Sequence, residues 1–406
     1  MNNAHRYMAF LRLLPSAVLL LLALVISPWP AFAQQENGPI ILGQSCALSG
    51  PAKNLGLEMR AGLLAAFAFI NDLGGIGGRQ VHLISLDDGY EPDKAVKNTI
   101  RLIREDDVFL LIGEVGTPTS KAVIPIIEEY KIPFFAPFTG AELLREPFRR
   151  YVINVRASYY QEMEELASYL IDRKKIERIA CFYQNDSYGY AGLRGIERAL
   201  ARRGMQLVSK GSYERNTLAV MGSIKEIYQA EPEAVVLVGA YPACAEFIKL
   251  SKTKVDPELG FYNISFVGTE SLKQALGAYG ENVIVSQVVP DPKKDSIPLI
   301  REYTDSMRRY QHDAPLSFTS LEGYIAGKLF AAIAQAVSGM LTRESFISTM
   351  QEVGRFDLGG VVLQFGPDDH QGMDDIHLTS IYPEILSIHT TEQSGQPSPS
   401  PSETND

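Results

Sequence analysis

The feature that most constrains the fold of this chain is a regular alternation of short apolar segments with longer amphipathic ones. From residue 40 onward the apolar segments predict strands and the amphipathic segments predict helices. The predicted strands fall into two series, first IILGQSCAL, VHLISLDD, VFLLIG and IPFFAP, then RIACFY, MQLVSKGSY, AVVLVGA and ISFVG. Strands that are apolar throughout are typical of parallel sheets covered by helices on both faces. The sequence therefore predicts two α/β domains that divide near Val155.

The C-terminal third interrupts this rhythm. Two long helical patterns, IPLIREYTDSMRRY and SLEGYIAGKLFAAIAQAV, are followed by GGVVLQFGPDDHQGMDDIHLTSIY, which predicts a strand, a turn and a second strand. No fresh strand–helix series follows, so we expect this third to complete the earlier domains and not to form another one.

Both ends of the chain differ from the rest. Arg6 and Arg12 precede an apolar run that is too short to span a bilayer, and AFA, ending at Ala33, is a small-x-small cleavage site. We expect residues 1–33 to be a signal peptide cleaved after Ala33, with an uncleaved membrane anchor as the alternative. No cysteine lies at the cleavage point, so no lipid anchor is expected there. Residues 391–406 are rich in Ser, Pro and Gln and are predicted to be disordered.

Charge and cysteine usage argue against several classes of function. Removal of residues 1–33 takes away two arginines and no acidic residue, so the formal net charge moves from −10 to −12. Such a chain offers no basic surface for nucleic acid. The three cysteines have no metal-ligand spacing, and Cys181, within a predicted strand, is expected to be a packed thiol. We expect no metal and no cofactor.

Motifs that would indicate an enzyme or an ion site are weak. Ser187 lies in no G-x-S-x-G elbow. LGGIGGR follows a helix and precedes a strand, the reverse of a dinucleotide fingerprint, and is interpreted as a helix-ending turn. DDGYEPD and GPDDHQGMDD lack the ligand order of a calcium loop and are interpreted as solvated turns. We expect a protein that is not an enzyme.

Polar and aromatic residues cluster in the loops that follow the predicted strands, where open α/β sheets bind their ligands. The first domain contributes hydroxyls and the second contributes tyrosines and a carboxylate. The candidate ligand-binding residues are Ser49, Thr117, Thr119, Ser120, Phe138, Thr139, Gly140, Tyr188, Tyr241 and Glu270. In the stretch IGEVGTPTSKAV, Thr117 is either a plain helix N-cap before Pro118 or part of a seat for an anion.

These loops carry a resemblance to a known family. The segments LSGPAKNLGLEMRAGLLAAFAFINDLGGIGGRQVHLISLDDGYEPDKAV, IGEVGTPTS, APFTGAELL, YQNDSYGYAGLRG, VLVGAYPACAEFIK and FVGTES are spread over residues 40–276. With them the chain resembles the type I periplasmic solute-binding proteins of ABC transporters, in the branched-chain amino acid binding branch. The rest of the chain fits the family layout to about residue 388.

The resemblance implies two Rossmann-like lobes joined by three crossover strands, with the ligand cleft between them. Lobe 1 would comprise residues 39–155 and 289–366, and lobe 2 residues 156–288 and 367–390. The implied protein is a periplasmic monomer that captures an amino acid, or a similar small acid or amide. It would deliver this solute to the permease and ATPase subunits of an ABC importer. The alternative is a ligand sensor that signals to a membrane histidine kinase.

The family's site residues match positions of this sequence. Its carboxylate seat matches Thr117 with the backbone of Thr119 and Ser120, supported by the loop at 138–140. Its aromatic wall matches Tyr188 and Tyr241, and its ammonium-binding carboxylate matches Glu270.

The sequence departs from the family in three respects. The cysteines of the family's disulfide are absent, Phe138 is bulkier than the usual residue, and GTESL differs locally. If Glu270 binds no ammonium group, the implied ligand is an aromatic or aliphatic acid.

Overall fold

The predicted alternation builds two separate sheets in the computed structural model of the chain, which describes residues 38–382. The strands are β1 Ile40–Cys46, β2 Val81–Asp87, β3 Leu111–Ile112, β4 Phe134–Phe135, β5 Val152–Ile153, β6 Ile179–Gln184, β7 Ser209–Tyr213, β8 Ala234–Val238, β9 Gly260–Asn263, β10 Val283–Gln287, β11 Arg355–Asp357, β12 Val362–Gln364 and β13 His377–Ser380. The predicted signal peptide and the predicted disordered tail lie outside the described residues, as do positions 383–390 of the predicted second lobe.

Helices cover these sheets. They are α1 Lys53–Asp72, α2 Pro92–Arg104, α3 Thr117–Tyr130, α4 Tyr159–Ala167, α5 Ser187–Ala201, α6 Met221–Tyr228, α7 Tyr241–Lys254, α8 Thr269–Leu276, α9 Pro298–Tyr310, α10 Phe318–Ala336 and α11 Arg343–Val353. A π-helical segment, Ser168–Arg173, continues α4. None of the helices between residues 38 and 382 is long and apolar enough to cross a membrane.

Each sheet has the doubly wound strand order. The first runs β2-β1-β3-β4-β5 with all pairs parallel, and the second runs β7-β6-β8-β9-β10 in parallel before β13 adds an antiparallel edge. The order reverses between β1 and β3 and again between β6 and β8. At such switch points, loops at the carboxyl ends of neighbouring strands diverge and leave room for a ligand. The fold therefore directs the loops after β1, β3, β6 and β8 toward any site between the lobes.

Strands β11 and β12 pair with each other as a separate two-stranded antiparallel sheet. The chain passes between the two lobes three times, after β5, after β10 and after β12. The first and third crossovers are hydrogen-bonded to each other: the Asn154 N–H donates to the His370 carbonyl at 2.7 Å, and the Gly372 N–H donates to the Asn154 carbonyl at 2.9 Å. The two α/β lobes and the crossovers agree with the fold predicted from the sequence. The predicted residue boundaries of the lobes stay a prediction.

Helices α9 and α10 return to the first lobe and pack on α1, which confirms that the C-terminal third forms no separate series. The contact between α1 and α10 is a backbone approach, because a Cβ at Gly62 would lie 1.9 Å from the Ser320 carbonyl oxygen. Only glycine fits there. The predicted packed thiol Cys181 is buried in β6.

Two local predictions are wrong. ISFVG was predicted as a strand, but the strand is the preceding GFYN of β9, and Ser265–Val267 form a single 3₁₀ turn. The apolar run is buried against the other lobe and not within a sheet. An apolar segment predicts burial, but it does not distinguish a strand from a turn packed between lobes. Of the two interpretations of Thr117, a plain N-cap or part of an anion seat, the N-cap interpretation is wrong, because Gly116 occupies that position and Thr117 is the first helical residue.

Candidate functional site

The helix start after β3 is shaped by Gly116. Its φ of 108° is a backbone conformation that residues with a Cβ rarely adopt. A Cβ at this position would also lie 2.2 Å from a ring carbon of Tyr90. The glycine therefore lets α3 begin directly beneath a buried aromatic ring from the loop after β2. The first N–H groups of a helix have no acceptor within the helix, so this start presents donors to the space around it.

Three hydroxyl residues at this helix start are fully buried, but they do different things. The Thr119 hydroxyl donates to the Val115 and Gly116 carbonyls, and the Ser120 hydroxyl donates to the Gly116 carbonyl at 2.6 Å. Both hydroxyl groups therefore donate their hydrogen bonds to the backbone of their own turn. Thr117 instead faces the next loop, where its Oγ1 shares a 2.7 Å hydrogen bond with Oγ1 of Thr139. Of the three side chains, Thr117 is the one that reaches out of its own turn.

The loop after β4 connects this hydroxyl pair to the second lobe. The Thr139 hydroxyl donates to the Tyr159 hydroxyl oxygen at 3.2 Å, and the Tyr159 N–H donates to the Gly140 carbonyl at 2.6 Å. Tyr159 begins α4, which packs against α5 of the second lobe. Thr117, Thr139 and Tyr159 thus form a line of hydroxyls that runs from one lobe to the other.

Aromatic rings from both lobes meet beside this line. Phe266, in the turn after β9, has its ring centroid 4.5 Å from Tyr188, 5.4 Å from Phe138 and 6.0 Å from Tyr90. Tyr188 also lies 5.6 Å from Tyr159. All five rings are buried, and such aromatic pairs stabilise a contact beyond the area that they bury. We call these five rings, together with Thr117, Thr139 and Arg156, the interlobe centre.

Arg156 is the charged member of the interlobe centre. It lies on the first crossover with 0% of its surface exposed, and its guanidinium carbon is 4.7 Å from the centroid of the Phe138 ring. Its Nη2 donates to the Ser265 hydroxyl, while Nε and Nη1 have no hydrogen-bond partner in the described part of the chain. Such an orphaned donor in a buried cationic group is costly and marks a site that needs explanation.

Two buried carboxylates lie near this guanidinium. Glu322 of α10 approaches Nε at 3.6 Å and Glu162 of α4 approaches Nη2 at 3.8 Å. Burial opposes the charge of Arg156, but these two carboxylates outweigh it and raise the pKa of the guanidinium. Burial also raises the pKa of Glu322 to about 7, against the opposing effect of Arg156. Glu162 is held by the Ser265 N–H, the Ser265 hydroxyl and the Ser286 hydroxyl.

The remaining predicted site residues lie outside the interlobe centre. Ser49 is exposed and its hydroxyl donates to Asp87 at 2.5 Å. Glu270 is 28% exposed and pairs with Lys293 at 3.6 Å. Within residues 38–382, no hydrogen bond, ion pair or ring contact joins Glu270 or the half-buried Tyr241 to the interlobe centre.

Glu270 borders a separate groove between the lobes. This groove has a volume of about 650 Å³ and lies between α1 and α8; its lining includes Asn54, Glu58, Arg60, Glu270, Ser271 and Gln274. We call it the outer groove. Its two walls are joined by a hydrogen bond from the Asn54 amide to the Ser271 hydroxyl at 3.1 Å.

Comparison with known proteins assigns this architecture to a family. The profile of the family described as periplasmic binding protein matches residues 39–382. The chain belongs to the periplasmic binding protein family. Among curated relatives, the Leu/Ile/Val-binding protein homolog 7 of Brucella abortus (strain 2308) is 24% identical over 398 residues, which cover 91% of this chain and 97% of that protein. The Leu/Ile/Val-binding protein of Escherichia coli (strain K12) is 21% identical over 278 residues, covering 67% and 73%.

Solved structures of this family superpose on the chain. "A possible leucine/isoleucine/valine-binding protein" from Rhodopirellula baltica SH 1 is 38% identical with a TM-score of 0.81, covering 84% of this chain and 94% of that one. A substrate-binding periplasmic protein from Ralstonia solanacearum is 27% identical with a TM-score of 0.79, covering 84% and 96%. The resemblance noted in the sequence is thereby confirmed at the level of the family and the fold.

In this periplasmic binding protein, four residues of the interlobe centre were not among the sequence-predicted site residues: Tyr90, Arg156, Tyr159 and Phe266. Three of them had a usable signal, because Tyr90 lies in the loop after β2 and Arg156 and Tyr159 lie in the segment after β5, where loops face a ligand site. An arginine directly after a buried strand is also uncommon enough to deserve weight. Phe266 lies in ISFVG, which was predicted as a strand, so its position did not indicate a loop that faces the ligand site.

Proposed function

We propose that this chain is a solute-binding protein that captures an amino acid or a similar small carboxylate-bearing solute between its two lobes. It then delivers the solute to the permease and ATPase subunits of an ABC importer, as a monomer in the periplasm and without catalysis. The observation that carries the proposal is the interlobe centre. Its hydroxyls, rings and guanidinium come from both lobes and are buried where the lobes meet.

The chemistry of the centre supports a small acid as the solute. Arg156, the Thr117–Thr139 hydroxyl pair and the N–H groups at the start of α3 all favour negative charge. The rings of Tyr188 and Phe266 offer apolar walls at low entropic cost. Membership of the periplasmic binding protein family, and the ABC transporter substrate-binding protein from Sphaerobacter thermophilus among structures with this fold, support the transport role.

Ligand-induced closure is the test of this function. A solute can reach a buried centre only if the lobes move apart about the crossovers, near Val155, Val288 and Phe365, and then close again. A thermal-shift screen over amino acids, amides and organic acids should find a stabilising solute. At about a hundred times its Kd, such a solute stabilises the fold by about 2.7 kcal/mol. Small-angle scattering should then show a smaller radius of gyration. An unchanged radius at saturation would contradict capture by closure.

Export is a separate part of the proposal. It rests on residues 1–33, which lie outside the described part of the chain, and on the periplasmic family. The intact mass of the protein recovered from the periplasm should correspond to a chain that begins at Gln34. A mass that includes residues 1–33, or recovery in the membrane fraction alone, would contradict it.

A further inference from the structure

Arg156 makes fewer hydrogen bonds than a buried arginine is expected to make. A guanidinium has five N–H groups, and a buried one is expected to place them all on acceptors. Here Nη1 carries two N–H groups without an acceptor, and Nε lies 3.6 Å from the nearest carboxylate oxygen, beyond hydrogen-bond distance.

Arg203 shows the arrangement of a structural arginine in the same molecule. Its Nε and Nη2 donate to Asp172, and its Nη1 donates to Glu164 at 2.7 Å and to the Ala199 carbonyl at 3.0 Å. Arg203 is more exposed than Arg156, with 18% of its side chain accessible, yet each of its three nitrogens has an acceptor. Among residues 38–382, Arg60 and Arg215 each leave a buried Nε without a partner, whereas Arg156 leaves both Nε and Nη1 without one. The deficit is therefore largest at Arg156.

The surroundings of Nη1 determine what could satisfy it. The guanidinium lies over Phe138, and Phe138 contacts Phe266 of the opposite lobe, so the free donors border apolar rings. A carboxylate would accept a short, charge-assisted hydrogen bond from Nη1. The body of the same molecule would then lie between rings that face each other across the lobes.

Four described carboxylates in and around the interlobe centre, Glu162, Asp186, Glu322 and Glu270, already have partners of their own. Glu162 accepts three hydrogen bonds, and Asp186, beside Tyr188, accepts hydrogen bonds from the Gln184 amide and from Arg215. Glu322 lies within 3.6 Å of Arg156, where an ammonium group would meet the repulsion of the guanidinium. Glu270, which the family pattern assigns to an ammonium group, pairs with Lys293 in the outer groove.

Building on the proposed function, we propose that Arg156 binds the carboxylate of an aromatic or otherwise apolar monocarboxylic acid that carries no ammonium group. The carboxylate accepts from Nη1, and the apolar body packs against Phe138, Phe266 and Tyr188. This assignment narrows the solute from small acids in general to acids of that one class.

Matched ligands test this class on the wild-type protein. The probes are benzoate, phenylacetate, 3-phenylpropanoate and 4-methylpentanoate, with phenylalanine and leucine as the ammonium-bearing counterparts of the last two. Calorimetry on the exported chain should show at least one of the four acids binding more than tenfold tighter than either amino acid. If an amino acid binds and none of the four acids does, the inference is overturned and the proposed function stands. If nothing in the wider solute screen binds, both fail.

A variant then tests the residue. For the tightest acid, the neutral primary amide should bind on the order of 100-fold more weakly to the wild type, because it lacks the charge that Arg156 recognises. Arg156→Met should reduce this acid-to-amide ratio to less than about fivefold, and Arg156→Lys should give an intermediate ratio. Arg203→Met is the matched control and should leave the ratio unchanged.

A purely structural Arg156 predicts a different result. If it only joins the crossover to Glu162 and Glu322, its loss weakens acid and amide alike and the ratio stays near 100-fold, which would overturn the inference. Should Arg156→Met fail to fold, Arg156→Lys retains the positive charge and is tested instead: an acid-to-amide ratio between fivefold and 100-fold supports the inference, and a ratio that stays near 100-fold overturns it. A ratio near one in the wild type would by itself overturn the assignment.

Discussion

The interlobe centre and the outer groove both lie between the lobes, but they treat charge in opposite ways. In the centre, Arg156 is fully buried and two of its nitrogens have no hydrogen-bond partner among the described residues. In the outer groove, Glu270 is part-exposed and already paired with Lys293. An exposed ion pair contributes little free energy because water and salt screen it, whereas a desolvated charge contributes strongly to whatever satisfies it.

This difference teaches that contact between lobes is not enough to identify a binding site. The groove has volume and polar residues, but Asn54, Glu58 and Glu270 in its lining already have partners, and Arg60 leaves a single buried nitrogen, Nε, without one among the described residues. The centre has little to satisfy its donor except a molecule placed among its rings.

The largest effect is expected for Phe266, the ring that joins the two walls of the centre. Phe266→Ala removes three aromatic contacts, each of about 0.5–1.5 kcal/mol, and should weaken binding of the best acid by about 100-fold in calorimetry. Phe261→Ala, in the core of the second lobe, is the control. It should lower the free energy of unfolding by about 3–5 kcal/mol without changing affinity. A loss under fivefold for Phe266→Ala would remove the centre from consideration.

A smaller effect is expected from pH, through Glu322. Burial raises the pKa of this carboxyl to about 7, and the charged groups acting on it are Arg156, Glu162 and Arg145. An anion bound at Arg156 raises the pKa of Glu322 further, so the bound state holds more protons than the free state above pH 7. Affinity for the acid should therefore fall as pH rises above about 7, by up to about tenfold per pH unit.

Calorimetry between pH 6 and pH 9 checks this dependence. Glu322→Gln should flatten the profile because it removes the titrating group. Glu197→Gln, on the surface of the second lobe, should leave the profile as in the wild type. If the affinity of the wild type does not change with pH, protonation of Glu322 is not coupled to binding.

Thr117 should have a moderate effect. Its hydroxyl is hydrogen-bonded to Thr139, and Thr117→Ala removes about one net hydrogen bond, on the order of 1 kcal/mol or about fivefold in affinity. Thr217→Ala, in an exposed turn, is the control and should bind as the wild type does. No measurable change in Thr117→Ala would mean that the seat consists of backbone donors alone.

The smallest effect is expected in the outer groove, at Glu270. Glu270→Ala should change affinity for the best acid by less than about threefold, because the carboxylate is part-exposed and paired with Lys293. Lys293→Ala should behave in the same way. A loss of about 100-fold in affinity is the size expected for a desolvated ammonium partner. It would identify the ligand as an amino acid that contacts both Glu270 and the interlobe centre.

Much of the fold could be predicted from local pattern. Apolar runs in β1 and β6 and the glycines and hydroxyls after β3 are local features, and they predicted the two lobes and the loop of Thr117. The three crossovers were implied by the resemblance to the family. The 264–268 run was assigned wrongly because a segment buried between lobes has the same composition as one buried in a sheet. Helix α4 gave no pattern strong enough to predict, since its polar Glu162 is buried by Ser265 and Ser286, more than a hundred residues away.

The α/β alternation and the set of loops that face the space between the lobes follow from the sequence, because each depends on residues close together in the chain. The family follows from motifs spread over residues 40–276. Which of those loops meet depends on tertiary packing. Arg156 contacts Phe138, Ser265 and Glu322, which lie far apart in the chain but adjacent in the fold. Burial, and the donor that burial leaves without a partner, are properties of that convergence, and no single stretch of sequence carries them.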